Sequence, residues 1–255
     1  TSGGDAQQGG AVALFTIERD VRQAGHSLND PAFLGCRVNA YDDGPPARNF
    51  AFTLAPVVIT QGAGGAPDTI TVTYGSSSLY AVPATFTQNT VSPSANYKID
   101  NRYGFAPGDL VIAVEAGKDC TLAELTNLPG TPGNTDVLVH NPGTYFTAAG
   151  TQTSARYNRA GGLPAPYDVN YTTNGKLYNL GPLPSNNVYS IQGGNLALQS
   201  SIANAAAPQA IVEGIVDLQA QYGKDDGVNN GTVTGGVYAA DDGVNVARLK
   251  AGRRR

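Results

Sequence analysis

The chain has 255 residues, 41% of them hydrophobic, which is enough to bury a sizeable core and excludes wholesale disorder. With 32 Gly, 16 Pro, 14% charged and 8% aromatic residues, it reads as a turn-rich protein of many short strands and not as a helical bundle. The net charge of −4 hides an asymmetry: Arg248, Lys250, Arg253, Arg254 and Arg255 are five of the 16 basic residues, so positions 1–247 carry 11 positive and 20 negative charges, a net of −9.

In chain order, residues 1–10 read as a flexible start and residues 11–27 as the one strongly helical stretch. Leu14, Ile17, Val21 and Ala24 fall three and four apart and form the apolar stripe expected to pack helix on sheet. Glu18 pairs with Arg22 at i, i+4. Gly25, with Asn29, Asp30 and Pro31 beyond it, supplies the stop, and His26 suits the negative end of the helix dipole. From about residue 33 to 247 strands alternate with turns. Ile70, Val72 and Tyr74 face one way and Thr69, Thr71 and Thr73 the other. Leu110–Val114 and Val137–Val139 are short apolar runs of central-strand type, and 189–198 reads as a hairpin turning on Gly193, Gly194 and Asn195. The pattern from Ile211 to Tyr222 fits helix or strand.

Candidate chemistry is sparse. His140 reads as a surface residue at a strand end, there is no Gly-x-Ser-x-Gly elbow, and Gly62-Ala63-Gly64-Gly65 lacks the Lys-Ser/Thr of a phosphate-binding loop. No catalytic residue is assigned. The long irregular stretches 127–134 and 161–184 stand out. Tyr157, Tyr167, Tyr171 and Tyr178 make the second a candidate recognition loop for a protein or a sugar, unless the rings simply pin it to the sheet. Asp-Asp-Gly-Val-Asn occurs at 225–229 and 241–245. Asp225, Asp226, Asp241 and Asp242 are either turn residues or a candidate calcium site, the one cofactor the sequence offers. Cys36 and Cys120 are two free core thiols or one bridge. The basic end, 248–255, has no interleaved aromatics and reads as a solvated tail, with no nucleic-acid partner implied. No run approaches the ~18 to 20 apolar residues of a membrane span, and the lack of any Met reads as a mature, excised or trimmed form.

The string Ile17-Glu18-Arg19-Asp20-Val21-Arg22-Gln23-Ala24-Gly25, with Gly35-Cys36 following, resembles the end of the N-terminal helix of PilW-type minor pilins of bacterial type IV pili. Three further segments in family order carry the likeness: Pro56–Thr60 running to Pro67–Gly75, Pro107–Ile112 with Asp119-Cys120, and Val212–Gly223. Both ends of the chain depart from the family pattern. The resemblance implies an α+β fold, with an N-terminal amphipathic helix packed on an antiparallel β-sheet carrying large β-rich insertions, as a single domain over 11–247. It also implies a strand at 211–222 and, in an extracytoplasmic setting, a disulfide between Cys36 and Cys120. The function implied is that of a non-enzymatic subunit in the minor-pilin complex that primes pilus assembly and sits at the fibre tip, serving adhesion and twitching motility. Its partners would be other minor pilins, the major pilin and a tip adhesin. A missing N-terminal half-helix would hold it in the inner membrane, facing the periplasm, before assembly into the extracellular fibre. The alternatives are a pseudopilin of type II secretion and a carbohydrate-binding or adhesive β domain.

Overall fold

The computed structural model describes residues 2–78, 82–133, 136–203, 207–223 and 244–251. Helix α1 is Ser2–Gln23. Strands follow as β1 Arg37–Asp42, β2 Arg48–Thr53, β3 Val57–Thr60, β4 Thr69–Tyr74, β5 Ala84–Thr85, β6 Tyr97–Lys98, β7 Leu110–Val114, β8 Cys120–Glu124 and β9 Val137–Leu138. The remainder are β10 Thr144–Phe146, β11 Gln152–Ser154, β12 Lys176–Gly181, β13 Ser185–Gln192, β14 Asn195–Ser200, β15 Gln209–Glu213, β16 Ile215–Gly223 and β17 Val244–Ala251. The chain divides into two compact units, one of Thr1–Ala24, Val57–Val72 and Asn186–Arg255, the other of Gly25–Pro56 and Thr73–Ser185. Among the described residues, no helix is long and apolar enough to cross a membrane.

The unit formed by 25–56 and 73–185 is built on a six-stranded sheet of order β2-β1-β8-β7-β12-β5. Every residue of β7 is buried, as an apolar run demands of a strand covered on both faces. On one face Val111, Ala113, Ala123 and Leu177 meet an aromatic cluster centred on Phe86, which stacks on Tyr171 at 5.9 Å and meets Tyr97 edge-on at 5.4 Å. The β6–β9 pair places Tyr97 opposite Leu138 above this face. Asp109 is buried at the start of β7. Its carboxylate accepts from Ala106 N at 2.9 Å and from Asn179 Nδ2 at 2.9 Å, while Asn179 Oδ1 accepts from Gly181 N, holding the irregularity in β12.

The unit containing both ends of the chain has a five-stranded sheet of order β15-β14-β13-β4-β3 and a separate β16–β17 pair. Gly193 and Gly194, at φ 56° and 77°, make the two-residue turn of the β13–β14 hairpin, a conformation that calls for positive φ at both central residues. The run 211–222 resolves into β15 and β16, broken at Gly214. The edge of β3 is closed by a single phenol: Ile59 N donates to Tyr222 Oη at 2.8 Å, and that hydroxyl donates to Val57 O at 3.2 Å. Buried Asp68 accepts from Gly62 N and Ala220 N, each at 2.8 Å, tying the loop before β4 to β16.

Helix α1 lies against β15, β16 and β17. Its buried positions are Ala13, Ile17 and Asp20, with Val21 and Ala24 half-buried. Leu14, expected on the packed stripe, is instead 40% exposed. The reason is Asp20, whose carboxylate Oδ2 accepts from Tyr189 Oη at 2.6 Å and Asn187 Nδ2 at 2.7 Å. Turning this charged residue inward rotates the buried face away from Leu14. Glu18 and Arg22 form the expected i, i+4 pair at 2.5 Å.

These observations correct the expected architecture. The protein is mostly β, 39% strand against 11% helix, with several separate sheets, and it is not an α+β pilin fold built on a packed long N-terminal helix. The helix is already formed at Ser2, within the stretch read as a flexible start, and ends at Gln23. Strand β17 runs into the stretch read as a basic tail. The interleaving of two units is a long-range arrangement that the local patterns of 11–247, read as one domain, do not encode.

Candidate functional site

A cleft forms in the six-stranded sheet where two parallel strands part. β1 and β8 pair at only two positions, Val38 with Cys120 and Asn39 with Thr121, and a Cys36–Cys120 disulfide stands at the root of this pairing. Beyond it β1 stays with β2, and the free side of β8 is taken up by a side chain. Asn158 Oδ1 accepts from Glu124 N at 2.9 Å, and its Nδ2 donates to Glu124 O at 2.7 Å, so one amide does the work of a neighbouring strand.

The wedge between the strands is fixed by charge. Glu124, buried, accepts from Tyr145 Oη at 2.6 Å and from the backbone N–H groups of Arg156 at 2.7 Å and Tyr157 at 3.0 Å. Arg156 forks onto Asp42, Nε to Oδ1 at 2.6 Å and Nη2 to Oδ2 at 3.0 Å, with Arg48 at 3.4 Å from the same carboxylate. Burial alone would raise the Asp42 pKa, but Arg156, the Gly44 N–H and Arg48 outweigh it and hold the group below its ordinary value.

Outside this wedge lies a cavity of about 70 Å³ whose walls include Tyr41, Tyr97, His140, Asn141, Tyr157 and Arg159. The Tyr41 hydroxyl donates to Asp43 Oδ1 at 2.8 Å, which orients the ring and raises its pKa. His140 is 8% exposed and stacks on Tyr97 at 4.2 Å, so it is not the surface residue its strand-end position suggests. Its Nε2 donates to Ala95 O at 2.9 Å, and burial pushes its pKa down, favouring the neutral imidazole.

The four tyrosines read as one recognition loop go to different places. Only Tyr157 lines the cleft. Tyr171 is 2% exposed, stacked on Phe86, with its hydroxyl on Asp119 O at 3.0 Å. Tyr178 is buried in β12 and donates to Asp30 O at 2.9 Å. Tyr167 is half-buried beneath Arg37, whose guanidinium carbon lies 5.6 Å from the ring centre. Tyr171 and Tyr178 are core residues. The candidate calcium residues Asp225, Asp226, Asp241 and Asp242 lie outside the described residues. Among the described residues, no group of three or more His, Cys, Asp or Glu side chains is placed to hold a metal ion. His26 lies past the end of α1 and bonds through Nε2 to Ser77 O at 2.8 Å. Tyr41, His140 and Arg159 carried no motif that marked them, because the cleft arises from strand divergence between segments far apart in sequence.

Comparison of the chain with protein-family models, curated proteins and solved structures finds no match.

Proposed function

We propose that the chain is a structural subunit of a bacterial type IV pilus, acting as a minor pilin through its interfaces with other pilus subunits and not through turnover. The ordered segments of the sequence support this reading; the architecture is not part of its support. The observation that carries it is the outer face of α1. Val12 and Phe15, i and i+3 on the helix and 54% and 66% exposed, lie side by side on the surface turned away from Ala13, Ile17 and Asp20, while Leu14, 40% exposed, flanks the packed stripe on the other side. Contiguous exposed apolar surface of this kind favours a protein partner. The disulfide suits an oxidising compartment, consistent with the periplasm before assembly and the fibre after it.

The test is co-purification of the full chain with the other minor pilins and the major pilin from the same pilus system, wild type against Phe15→Asp. Phe15 is exposed, so the variant should melt within about 1 °C of wild type while losing most of the captured subunits. Equal capture by both proteins, or no stoichiometric capture by the wild type, would overturn the reading.

A further inference from the structure

The cleft beside the β1–β8 divergence is lined by residues other than those of α1. It opens where β1 and β8, paired in parallel at only two positions, separate. Tyr41 comes from the end of β1 and Tyr157 from the segment wedged beside β8, so two flat rings with polar tips stand in its walls. A cavity of about 70 Å³ holds a few water molecules, so a ligand ring enters it only in part.

The charge of the cleft narrows the ligand. Among the described residues lining it, Arg159 is the only Asp, Glu, Lys or Arg. His140 sits in the wall as the neutral imidazole. The carboxylates behind the wall are already engaged, Glu124 by Tyr145 and two backbone N–H groups and Asp42 by Arg156 and Arg48. Asp43 lies outside the lining and accepts the Tyr41 hydroxyl. Arg159 is exposed and is the charged side chain in this lining, and a guanidinium meets a carboxylate with two parallel hydrogen bonds.

We propose that this cleft binds the terminal residue of an acidic saccharide, with the sugar ring against Tyr41 and Tyr157 and the sugar carboxylate on Arg159. A hexuronic acid offers a carboxylate for Arg159 and a face of C–H groups for the rings.

Saturation-transfer NMR on the full chain tests this with methyl glucuronide and methyl glucoside as probes. The glucuronide should receive saturation and titrate at least tenfold more tightly than the glucoside. Arg159→Gln, a change at an exposed residue, should erase that preference while leaving the melting curve in place. Tyr41→Ala should abolish transfer to both sugars. Absence of transfer to the glucuronide, equal binding of the two sugars by the wild type, or an unchanged preference in Arg159→Gln would each overturn the proposal. None of these outcomes bears on pilus assembly, which is read out on Phe15.

Discussion

Ser27 stands at φ 69°, a left-handed conformation that costs a side chain with a Cβ about 1 kcal/mol or more. Its hydroxyl is buried and without a hydrogen-bond partner among the described residues. Glycine removes both penalties at the cost of a more flexible unfolded chain. Ser27→Gly should therefore stabilise the protein by about 1 kcal/mol, seen as a rise of a few degrees in Tm. A lower Tm would show that the hydroxyl has a partner we have not identified. His140 gives a second residue-scale expectation. Its folded pKa lies below the ordinary value because burial disfavours the imidazolium. Its full contribution to stability is present above about pH 6.5 and declines as pH falls below that, where the unfolded chain takes up a proton that the folded chain resists. Urea midpoints measured from pH 7.5 to 5 should fall, and His140→Gln should flatten that slope. Asp42 adds its own loss as pH falls through the ordinary carboxylate value of 3.8, where the unfolded chain takes up a proton that the folded carboxylate, its pKa lowered, does not. Asp109 acts in the opposite sense, because burial raises its pKa and acid relieves the buried charge.

At the scale of elements, the Tyr222 hydroxyl bonds two backbone groups on the edge of β3, Ile59 N and Val57 O. Tyr222→Phe keeps the ring and removes both bonds, so it should cost about 1 to 3 kcal/mol and leave a strand edge open to pairing with other chains. Chemical denaturation and light scattering measure the two effects, and a silent variant would mean that water replaces the hydroxyl without loss. Much of the strand inventory was legible: the 69–72 alternation, the buried 110–114 run and the Gly-rich hairpin all follow from local chemistry, although Thr73 is buried and Tyr74 half-buried, against the expected alternation. Each of the four segments singled out in the sequence turns out to supply a polar anchor, Asp20, Asp68, Asp109 and Tyr222, three of them buried carboxylates. What stayed hidden was burial that runs against hydropathy. A stripe drawn through apolar residues alone selects Leu14 and passes over Asp20, and counting tyrosines cannot distinguish Tyr171 in the core from Tyr157 in the cleft.

At the scale of the whole molecule, the Cys36–Cys120 bridge closes a loop with a sequence separation of 84. In the chain-entropy description this restricts the unfolded state by about 4 to 5 kcal/mol, a large share of the ~5 to 15 kcal/mol that a folded protein typically has. The Cys36→Ser/Cys120→Ser double variant should therefore lose about 4 to 5 kcal/mol of stability, and reductant should lower the wild-type midpoint to match. A midpoint indifferent to both would assign the bridge no part in the stability of the folded chain. The interleaving of the two units has a further consequence, for the time at which each can be finished. A chain made N-terminus first has the whole of 25–185 available before the strands that cover its helix exist. At roughly 5 to 20 residues per second, Ile17 waits about ten seconds or longer for β13 to β16, against a hydrophobic collapse that takes well under a millisecond. During that delay the inner and outer faces of α1 are equally uncovered. The last quarter of the chain therefore decides which face of α1 is buried and which stays exposed.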